Sequence, residues 1–233
     1  MDKVDNCRSA QGLPNHGPAL GVFAKQPLPG QVKTRLFPAL SPDEASALYK
    51  VALQETVTRF AAGPAKLVLC CAGRRAWFAR NFPGVPLLSQ GQGDLGARLT
   101  RVTTALFAAG WSPVAVAGSD SPDLPQALIG EAFAALASAD VAAIPCSDGG
   151  FALVALRCPA PGLFADLPWS TPRVLAALQG RAAGLGLRFA TVAAWDDLDD
   201  LASLHRLLAR SPDCATAQYA CAHLGSRLVS GCG

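Results

Sequence analysis

The chain has 233 residues, of which 51% are hydrophobic and 16% are charged, and its formal net charge is +3. This composition excludes intrinsic disorder, which requires low hydrophobicity and high net charge. The small basic excess argues against a nucleic-acid-binding protein, which concentrates far more positive charge. No uninterrupted apolar run reaches the roughly 20 residues that a membrane span needs, and the acidic start Met1-Asp2-Lys3-Val4-Asp5 is unlike a signal peptide. We therefore expect a soluble cytoplasmic protein with no nucleic-acid or membrane partner.

The eight cysteines include no C-x-x-C pair, so neither a zinc knuckle nor a thioredoxin-type motif is predicted. Cys70 and Cys71 lie in an apolar run, where a cysteine behaves as a small buried hydrophobe. A chain of this length can bury a large core without disulfides. We expect all eight cysteines to be reduced and none to be needed for the chemistry.

The first 18 residues are polar and lack periodicity, which predicts a loose leader before a single domain over residues 19–228. Apolar runs bounded by turn residues predict strands at 19–24, 66–72, 85–88, 113–117, 140–145, 151–156 and 187–193. Helix signals predict a helix from a Ser41 cap to about residue 62, followed by helices at 74–82, 94–109, 125–138, 171–183, 199–210 and 213–228.

Strands that alternate with helices predict an α/β fold, a mostly parallel sheet with helices on both faces. The second predicted strand is apolar at successive positions, as expected where both faces of a sheet are covered. In such sheets ligands bind beyond the carboxyl ends of the strands. The residues at those ends are therefore the candidates for function.

The loop after the first predicted strand concentrates basic and small residues: Lys25, Gly30, Lys33, Thr34 and Arg35. Lysine binds phosphate as a point charge and arginine as a two-pronged donor, while glycine lets main-chain N–H groups approach a ligand. The spacing matches neither a Walker loop nor G-x-G-x-x-G. A solvated basic turn is the alternative, but the position directly after the first strand favours a phosphate site.

The strand at 113–117 runs into two aspartates, Asp120 and Asp123. A carboxylate that faces a phosphate loop suggests a divalent cation between them, because Mg²⁺ and Mn²⁺ choose oxygen ligands. The alternative is that an aspartate here only caps the helix that starts near residue 125. We assign the metal to Asp120 and the cap to Asp123.

Two glycine-bearing segments follow other strands. In Asp148-Gly149-Gly150 the glycines would let a ligand approach the backbone, although a hairpin turn explains them better when taken alone. Gln90 and Gly93 precede the helix at 94–109 and could face a nucleobase. Capping of that helix by Asp94 is the simpler explanation.

Trp169 stands just before the helix predicted at 171–183, for which Ser170 is the predicted cap. Tryptophan faces stack on sugars, and core packing is the alternative. Acidic residues also precede the helix at 199–210. Negative side chains at a helix N-terminus interact favourably with the helix dipole, and one of these acids could be a second metal ligand. These acids are Asp196, Asp197, Asp199 and Asp200.

Together these segments resemble a bacterial family of nucleotide-diphospho-sugar-transferase-like proteins, long filed as a domain of unknown function and including glycosyltransferases assigned to arsenosugar biosynthesis. The resemblance rests on five motifs in the family order. They are F-[AT]-K-x-P-x-P-G-x-x-K-T-R-L at 23–36, Q-x-x-G-x-L-G-x-R at 90–98, G-[ST]-D-x-P-D-L at 118–124, D-G-G-[YF]-x-L at 148–153 and W-S-T at 169–171.

The resemblance implies a glycosyltransferase A fold that binds a nucleotide-linked phosphate with Mg²⁺ or Mn²⁺. We therefore expect a metal-dependent glycosyltransferase that uses a nucleotide-diphospho-sugar donor and a small-molecule acceptor. Asp148 is the candidate general base or acceptor-positioning acid. The residues expected near the acceptor or sugar are Gly149, Gly150, Trp169, Ser170 and Thr171.

One departure leaves the second metal ligand open. The family usually ends in D-x-D-T-x-x-D-L; here either Asp197 and Asp199 take the first two acidic positions, or Asp196 is the second acid and Ala194 replaces the first. The 33–36 loop is also similar to that of guanylyltransferases acting on phospholactate, so the second hypothesis is a nucleotidyltransferase that releases pyrophosphate. A non-catalytic nucleotide-binding protein is the third. The low charge content is also compatible with a homodimer.

Overall fold

A computed structural model describes residues 16–37 and 39–225. Residues 1–15 of the predicted leader lie outside the described residues. The end of the last predicted helix, residues 226–228, lies outside them too. His16 and Gly17 are joined to the domain by main-chain hydrogen bonds, His16 N to Gly110 O at 2.9 Å and Ser112 N to Gly17 O at 3.0 Å. None of the helices in the described ranges has the length and apolar character needed to cross a bilayer.

The described residues form seven strands, each at a predicted position. They are β1 (Ala19–Lys25), β2 (Lys66–Ala72), β3 (Leu87–Ser89), β4 (Val114–Gly118), β5 (Val141–Pro145), β6 (Phe151–Leu156) and β7 (Phe189–Thr191). The sheet has the order β3-β2-β1-β4-β6-β5-β7. Every neighbouring pair is parallel except those of β6, which runs antiparallel to both β4 and β5. The predicted mostly parallel α/β sheet is confirmed.

Seven α-helices lie in the same ranges. They are α1 (Pro42–Ala61), α2 (Arg75–Asn81), α3 (Leu95–Ala108), α4 (Gln126–Ala135), α5 (Val174–Gly184), α6 (Leu201–Arg210) and α7 (Ala215–Leu224). Helices α1, α2 and α4 pack on one face of the sheet and α3 and α5 on the other, while α6 and α7 cover the outer side of α1. The predicted capping box of α1 is present, with Ser41 N donating to Glu44 Oε2 at 2.7 Å.

Two predictions that concern the loops after β6 are wrong. Ser170 does not cap a helix: its φ is 61°, and α5 begins only at Val174. The turn before α5 is instead closed by Thr171, whose hydroxyl donates to Pro168 O at 2.7 Å. Cys158, in the half-buried loop after β6, is disulfide-bonded, so the expectation of eight reduced cysteines is also wrong.

Candidate active site

A cavity of about 720 Å³ opens at the carboxyl ends of β1 and β4. Strand β1 lies between β2 and β4, so the order of the strands reverses at β1. Open α/β sheets bind ligands beside the carboxyl ends of the strands at such a reversal. The volume lies within the usual range of small-molecule sites, roughly 300–1,000 Å³. The predicted site residues that line the cavity are Lys25, Lys33, Thr34, Arg35, Gln90, Gly93, Asp120, Ser170, Asp197 and Asp199.

Lys33 is the buried cation of this cavity. Its backbone has a φ of 50°, in the left-handed region, and its side chain is only 3% exposed. The ammonium donates to the carboxylate of Asp120 and to the carbonyl of Leu198, and it lies 5.8 Å from the centre of the Tyr49 ring. Lys33 therefore joins the basic loop to the acidic side of the cavity.

Tyr49 of α1 is a cavity residue that the sequence analysis missed. Its hydroxyl accepts a hydrogen bond from Lys25 N at 3.0 Å and lies 2.8 Å from Ser119 Oγ. Burial, with the negative charge of Asp120 acting in the same direction, raises the pKa of Tyr49 above its usual value. The neutral phenol thus ties α1 to the ends of β1 and β4. Its apolar helix neighbours predict only a core residue.

Asp197 is an acid of the cavity whose pKa is raised by its surroundings. Burial raises its pKa to about 6, and the charges of Asp120, Asp199 and Asp148 act in the same direction, whereas Lys33 opposes them. Asp199 also lines the cavity, where its Oδ2 pairs with Arg35 Nη1 at 2.5 Å. This side of the cavity therefore carries several carboxylates close together.

Asp196 takes part in a different set of contacts, away from the cavity lining. Its Oδ1 accepts from Ser147 N at 3.0 Å, and its Oδ2 forms an ion pair with Arg206, 3.2 Å from Nε. The alignment in which Asp197 and Asp199 take the two acidic positions places both acids in the cavity lining. The alternative, in which Asp196 is the second acid and Ala194 replaces the first, places neither residue there.

The carboxylates test whether the cavity suits a divalent cation. In the part of the chain that the structure describes, no group of three or more His, Cys, Asp or Glu side chains is arranged to hold a metal ion by itself. Asp120 and Asp197 nevertheless supply hard oxygen donors on one side of the cavity. Magnesium is commonly held by one or two carboxylates, with substrate phosphates and water completing the shell. The residues fit a cation that binds together with a phosphorylated substrate.

Gln90 lies under the cavity with most of its side chain buried. Its Nε2 donates to Ala24 O at 3.3 Å and to Cys70 O at 2.8 Å, which ties β1 to β2. Both amide hydrogens are thus used inside the protein, so only the amide oxygen remains for a base. The predicted Asp94 cap of α3 is confirmed, since Asp94 Oδ1 accepts from Ala97 N at 2.8 Å.

Arg98 is a second cavity residue that the motif analysis left without a role. It belongs to the first turn of α3, and its Nε donates to Gly93 O at 2.9 Å. A cation in the first turn of a helix opposes the helix dipole. An anion bound in the cavity would offset that cost.

Asp148, Gly149 and Gly150 lie outside the cavity lining, in the turn between the antiparallel strands β5 and β6. Asp148 Oδ1 accepts from Gly150 N at 2.8 Å. A Cβ on Gly149, whose φ is 86°, would lie only 2.0 Å from Pro172 O. The backbone that approaches Gly149 closely is therefore that of the segment before α5, not that of a ligand.

Trp169 is packed against the core rather than into the cavity. Its ring meets Phe151 edge to face at a centroid distance of 6.4 Å. A Cβ on Gly96 would lie 3.2 Å from Trp169 Nε1, so the indole lies directly against the start of α3. This packing does not favour the expected contact between Trp169 and a sugar. Its neighbour Ser170 does line the cavity.

Asp123 does not cap α4, so that prediction is wrong. The cap position is Pro125, which makes no side-chain hydrogen bond. Asp123 is buried, and its carboxylate is held by Arg210, Ser211 and Trp195. Burial alone would raise the pKa of Asp123, but these hydrogen bonds and the charge of Arg210 hold it below its usual value.

Comparison with solved structures agrees with this architecture. The structure of a "putative nucleotide-diphospho-sugar transferase" from Desulfovibrio desulfuricans G20 has a TM-score of 0.80 and 26% identity, covering 91% of this chain and 98% of its own. A mannose-1-phosphate geranyltransferase from Thermus thermophilus has a TM-score of 0.55 and 19% identity, covering 84% of this chain and 80% of its own. A CMP:2-keto-3-deoxy-manno-octonic acid synthetase complexed with CTP has a TM-score of 0.50 and 15% identity, covering 83% and 97%.

The Desulfovibrio protein, at 26% identity, is described as a transferase, which confirms the expected enzyme class, whereas the metal and the substrates stay predictions. A search of curated proteins returned no match to the sequence. One family profile matches residues 53–171, just over half of the chain. The chain therefore belongs to the family DUF2064, described as an uncharacterized protein conserved in bacteria.

Proposed function

We propose that this protein is a metal-dependent glycosyltransferase that uses a nucleotide-diphospho-sugar donor and a small-molecule acceptor. The observation that carries the proposal is the cavity that holds the basic loop and the acids together. Lys25, Lys33 and Arg35 line it from the β1 side, and Asp120 and Asp197 from the other. A nucleotide-diphospho-sugar donor requires positively charged side chains that bind its diphosphate. Beside them it requires carboxylates that bind a divalent metal ion.

The basic residues would bind the donor diphosphate. Arg35 is 63% exposed and can turn its guanidinium from Asp199 to a phosphate at little cost, since exposed ion pairs contribute only about 0–1 kcal/mol. The Lys33 ammonium is held by its two acceptors, Asp120 and the Leu198 carbonyl, and would attract the diphosphate as a point charge. Lys25 and Arg98 add two cations with no carboxylate partner among the described ion pairs. Gly30 and Thr34 belong to the same loop.

Asp120 and Asp197 would hold the cation, Mg²⁺ or Mn²⁺. Bound there, it would neutralise the charge that develops on the departing nucleoside diphosphate. Gly93 and the amide oxygen of Gln90 would lie near the base. Ser170 would contact the acceptor or sugar from the far wall of the cavity.

Asp148 remains the proposed acid that orients or deprotonates the acceptor hydroxyl. It is exposed, and its negative charge contributes to the raised pKa of Asp197. Asp148 therefore lies near the rim of the cavity, although it is not a lining residue. Catalytic hydrogen bonds often form only once the substrate is bound.

A nucleotidyltransferase is the second candidate. The observation that favours it is the shared fold with a synthetase whose structure contains CTP. The cavity cations Lys25 and Arg98 would suit the additional phosphate of a nucleoside triphosphate. Its product would be pyrophosphate, whereas sugar transfer leaves a nucleoside diphosphate.

The deciding experiment incubates the protein with Mn²⁺ and a panel of nucleotide sugars and nucleoside triphosphates, and measures released diphosphate and pyrophosphate separately. We expect diphosphate from a nucleotide sugar. Pyrophosphate from a triphosphate would establish the second candidate instead. Asp120→Asn is the matched inactive variant, since an amide is nearly isosteric with the carboxylate but a poorer ligand for a hard cation. Equal turnover by Asp120→Asn would refute the assignment of Asp120.

A further inference from the structure

Asp197 lies in a segment without regular structure. Residues 195–198 lie between β7 and α6 and belong to neither. Their main-chain groups are nevertheless bonded to other parts of the chain: Trp195 N donates to Pro145 O at 2.8 Å, and Leu198 N donates to Asp120 O at 2.7 Å. Main-chain groups held in this way give an irregular segment a defined position.

Asp123 is the side chain at the centre of these contacts. Its Oδ2 accepts from Arg210 Nε at 2.7 Å and from Ser211 Oγ at 2.8 Å. Its Oδ1 accepts from Arg210 Nη2 at 2.9 Å and from Trp195 Nε1 at 3.2 Å. The same Nη2 donates to Asp196 O at 2.6 Å, and the guanidinium lies 4.6 Å from the centre of the Trp195 ring. Asp123 and Arg210 thus contact both residues that precede Asp197.

We propose that Asp123 is a positioning residue which, together with Arg210, fixes segment 195–198 and so holds Asp197 beside Asp120. Asp120 and Asp123 belong to one loop after β4, so this loop supplies one acid of the cavity and places the other. The geometric part of the proposal is independent of the ligand. Its consequence for binding rests on the proposed function.

Stability alone does not account for this ion pair. The Asp123 side chain is 1% exposed, and replacing such a buried pair by apolar residues is often neutral or stabilising. What the pair supplies is geometry, because a two-pronged arginine fixes direction as well as distance. Here that direction continues through Arg210 into the main chain at Asp196.

The test compares Asp123→Asn with Asp140→Asn, a matched control. Asp140 is also paired with two arginines, Arg157 and Arg188, but it precedes β5 and so lies at the amino end of a strand, whereas the cavity lies at the carboxyl ends. Amide hydrogen exchange is measured by NMR for Leu198. We expect its exchange to be roughly tenfold faster in Asp123→Asn, the equivalent of one lost charged hydrogen bond, and unchanged in Asp140→Asn.

Unchanged protection of Leu198 in Asp123→Asn would overturn the proposal. If that variant does not fold, Arg210→Lys decides the question, because it keeps the charge but removes the two-pronged contact with Asp123. Faster exchange at Leu198 in Arg210→Lys supports the positioning role. Wild-type exchange in Arg210→Lys refutes it.

A second readout separates positioning from general support of the fold. Calorimetric titration with UDP, GDP, CDP and ADP is done with and without Mn²⁺. Asp123→Asn should reduce the gain in affinity from Mn²⁺ by roughly tenfold and leave metal-free affinity unchanged. Asp140→Asn should change neither. A full metal-dependent gain in Asp123→Asn would overturn the proposal. No binding to wild type would refute the proposed function, while hydrogen exchange would still decide the positioning role.

Discussion

Lys33 and Arg35 are both cations of the predicted phosphate loop, but they differ in burial. The Lys33 side chain is 3% exposed, and its ammonium is bonded to Asp120 and the Leu198 carbonyl. Arg35 is 63% exposed and pairs with an accessible Asp199. Methionine substitutions, Lys33→Met and Arg35→Met, remove each charge while keeping an unbranched side chain of similar reach.

The expected costs follow from these contacts. Losing Lys33 leaves a buried carbonyl unpaired and removes the partner of Asp120, and a charged hydrogen bond of this kind contributes about 1.5–3 kcal/mol. We use the lower half of that range because Asp120 is 41% exposed and therefore partly solvated. Losing Arg35 should cost at most about 1 kcal/mol. In a chain of this size each kcal/mol moves Tm by roughly 2–4 °C.

Thermal unfolding without ligand measures this difference directly. We expect Lys33→Met to lower Tm by roughly 3–9 °C and Arg35→Met by under about 4 °C. Both variants should weaken nucleoside diphosphate binding about tenfold or more in calorimetry, because each removes a charged contact. Equal ligand-free Tm values for the two variants would refute the buried role of Lys33. Unchanged nucleotide affinity in both would refute the phosphate site.

Three further predictions concern other parts of the fold. Gly149→Ala should lower Tm by several degrees, since its Cβ would lie 2.0 Å from a backbone oxygen, whereas Gly180→Ala, with open space, should not. Tyr49→Phe should cost about 1–3 kcal/mol in denaturant unfolding, because the main-chain N–H at the end of β1 loses its acceptor. Although burial alone would raise it, the hydrogen bonds and charges of two arginines hold the pKa of Asp140 below its usual value. The Tm gap between wild type and Asp140→Asn should therefore be largest above about pH 4 and close as the pH falls through the folded-state pKa.

The strands were predictable because each is defined by a local pattern. Strand β2 is apolar at five successive buried positions, which only a sheet covered on both faces requires. The helix starts with side-chain caps, at Ser41 and Asp94, were predictable for the same reason: cap and backbone partner are three residues apart. Their hydrogen bonds depend on residues that are neighbours in the sequence.

Contacts between distant segments could not be predicted in this way. Asp123 was assigned to capping because its nearest helix was the obvious partner, whereas its actual partner, Arg210, lies 87 positions away. Lys33 and Asp120 are also 87 positions apart, so neither the burial of Lys33 nor its ion pair has a local signal. Ser170 failed as a cap because Thr171 closes the turn first. For Asp123 a tertiary contact replaced the predicted local one, whereas at Ser170 a different local contact did.

The two alignments of the acidic segment show where local physics did contain the answer. Leu198 is the apolar residue within Asp196–Asp200 and is 0% exposed, so its side chain is anchored in the core. Its neighbours Asp197 and Asp199 both line the cavity. Because the Leu198 anchor lies between these two acids, Leu198→Asn should release both and remove the Mn²⁺-dependent gain in nucleotide affinity measured by calorimetry, whereas Asp196→Asn should keep that gain.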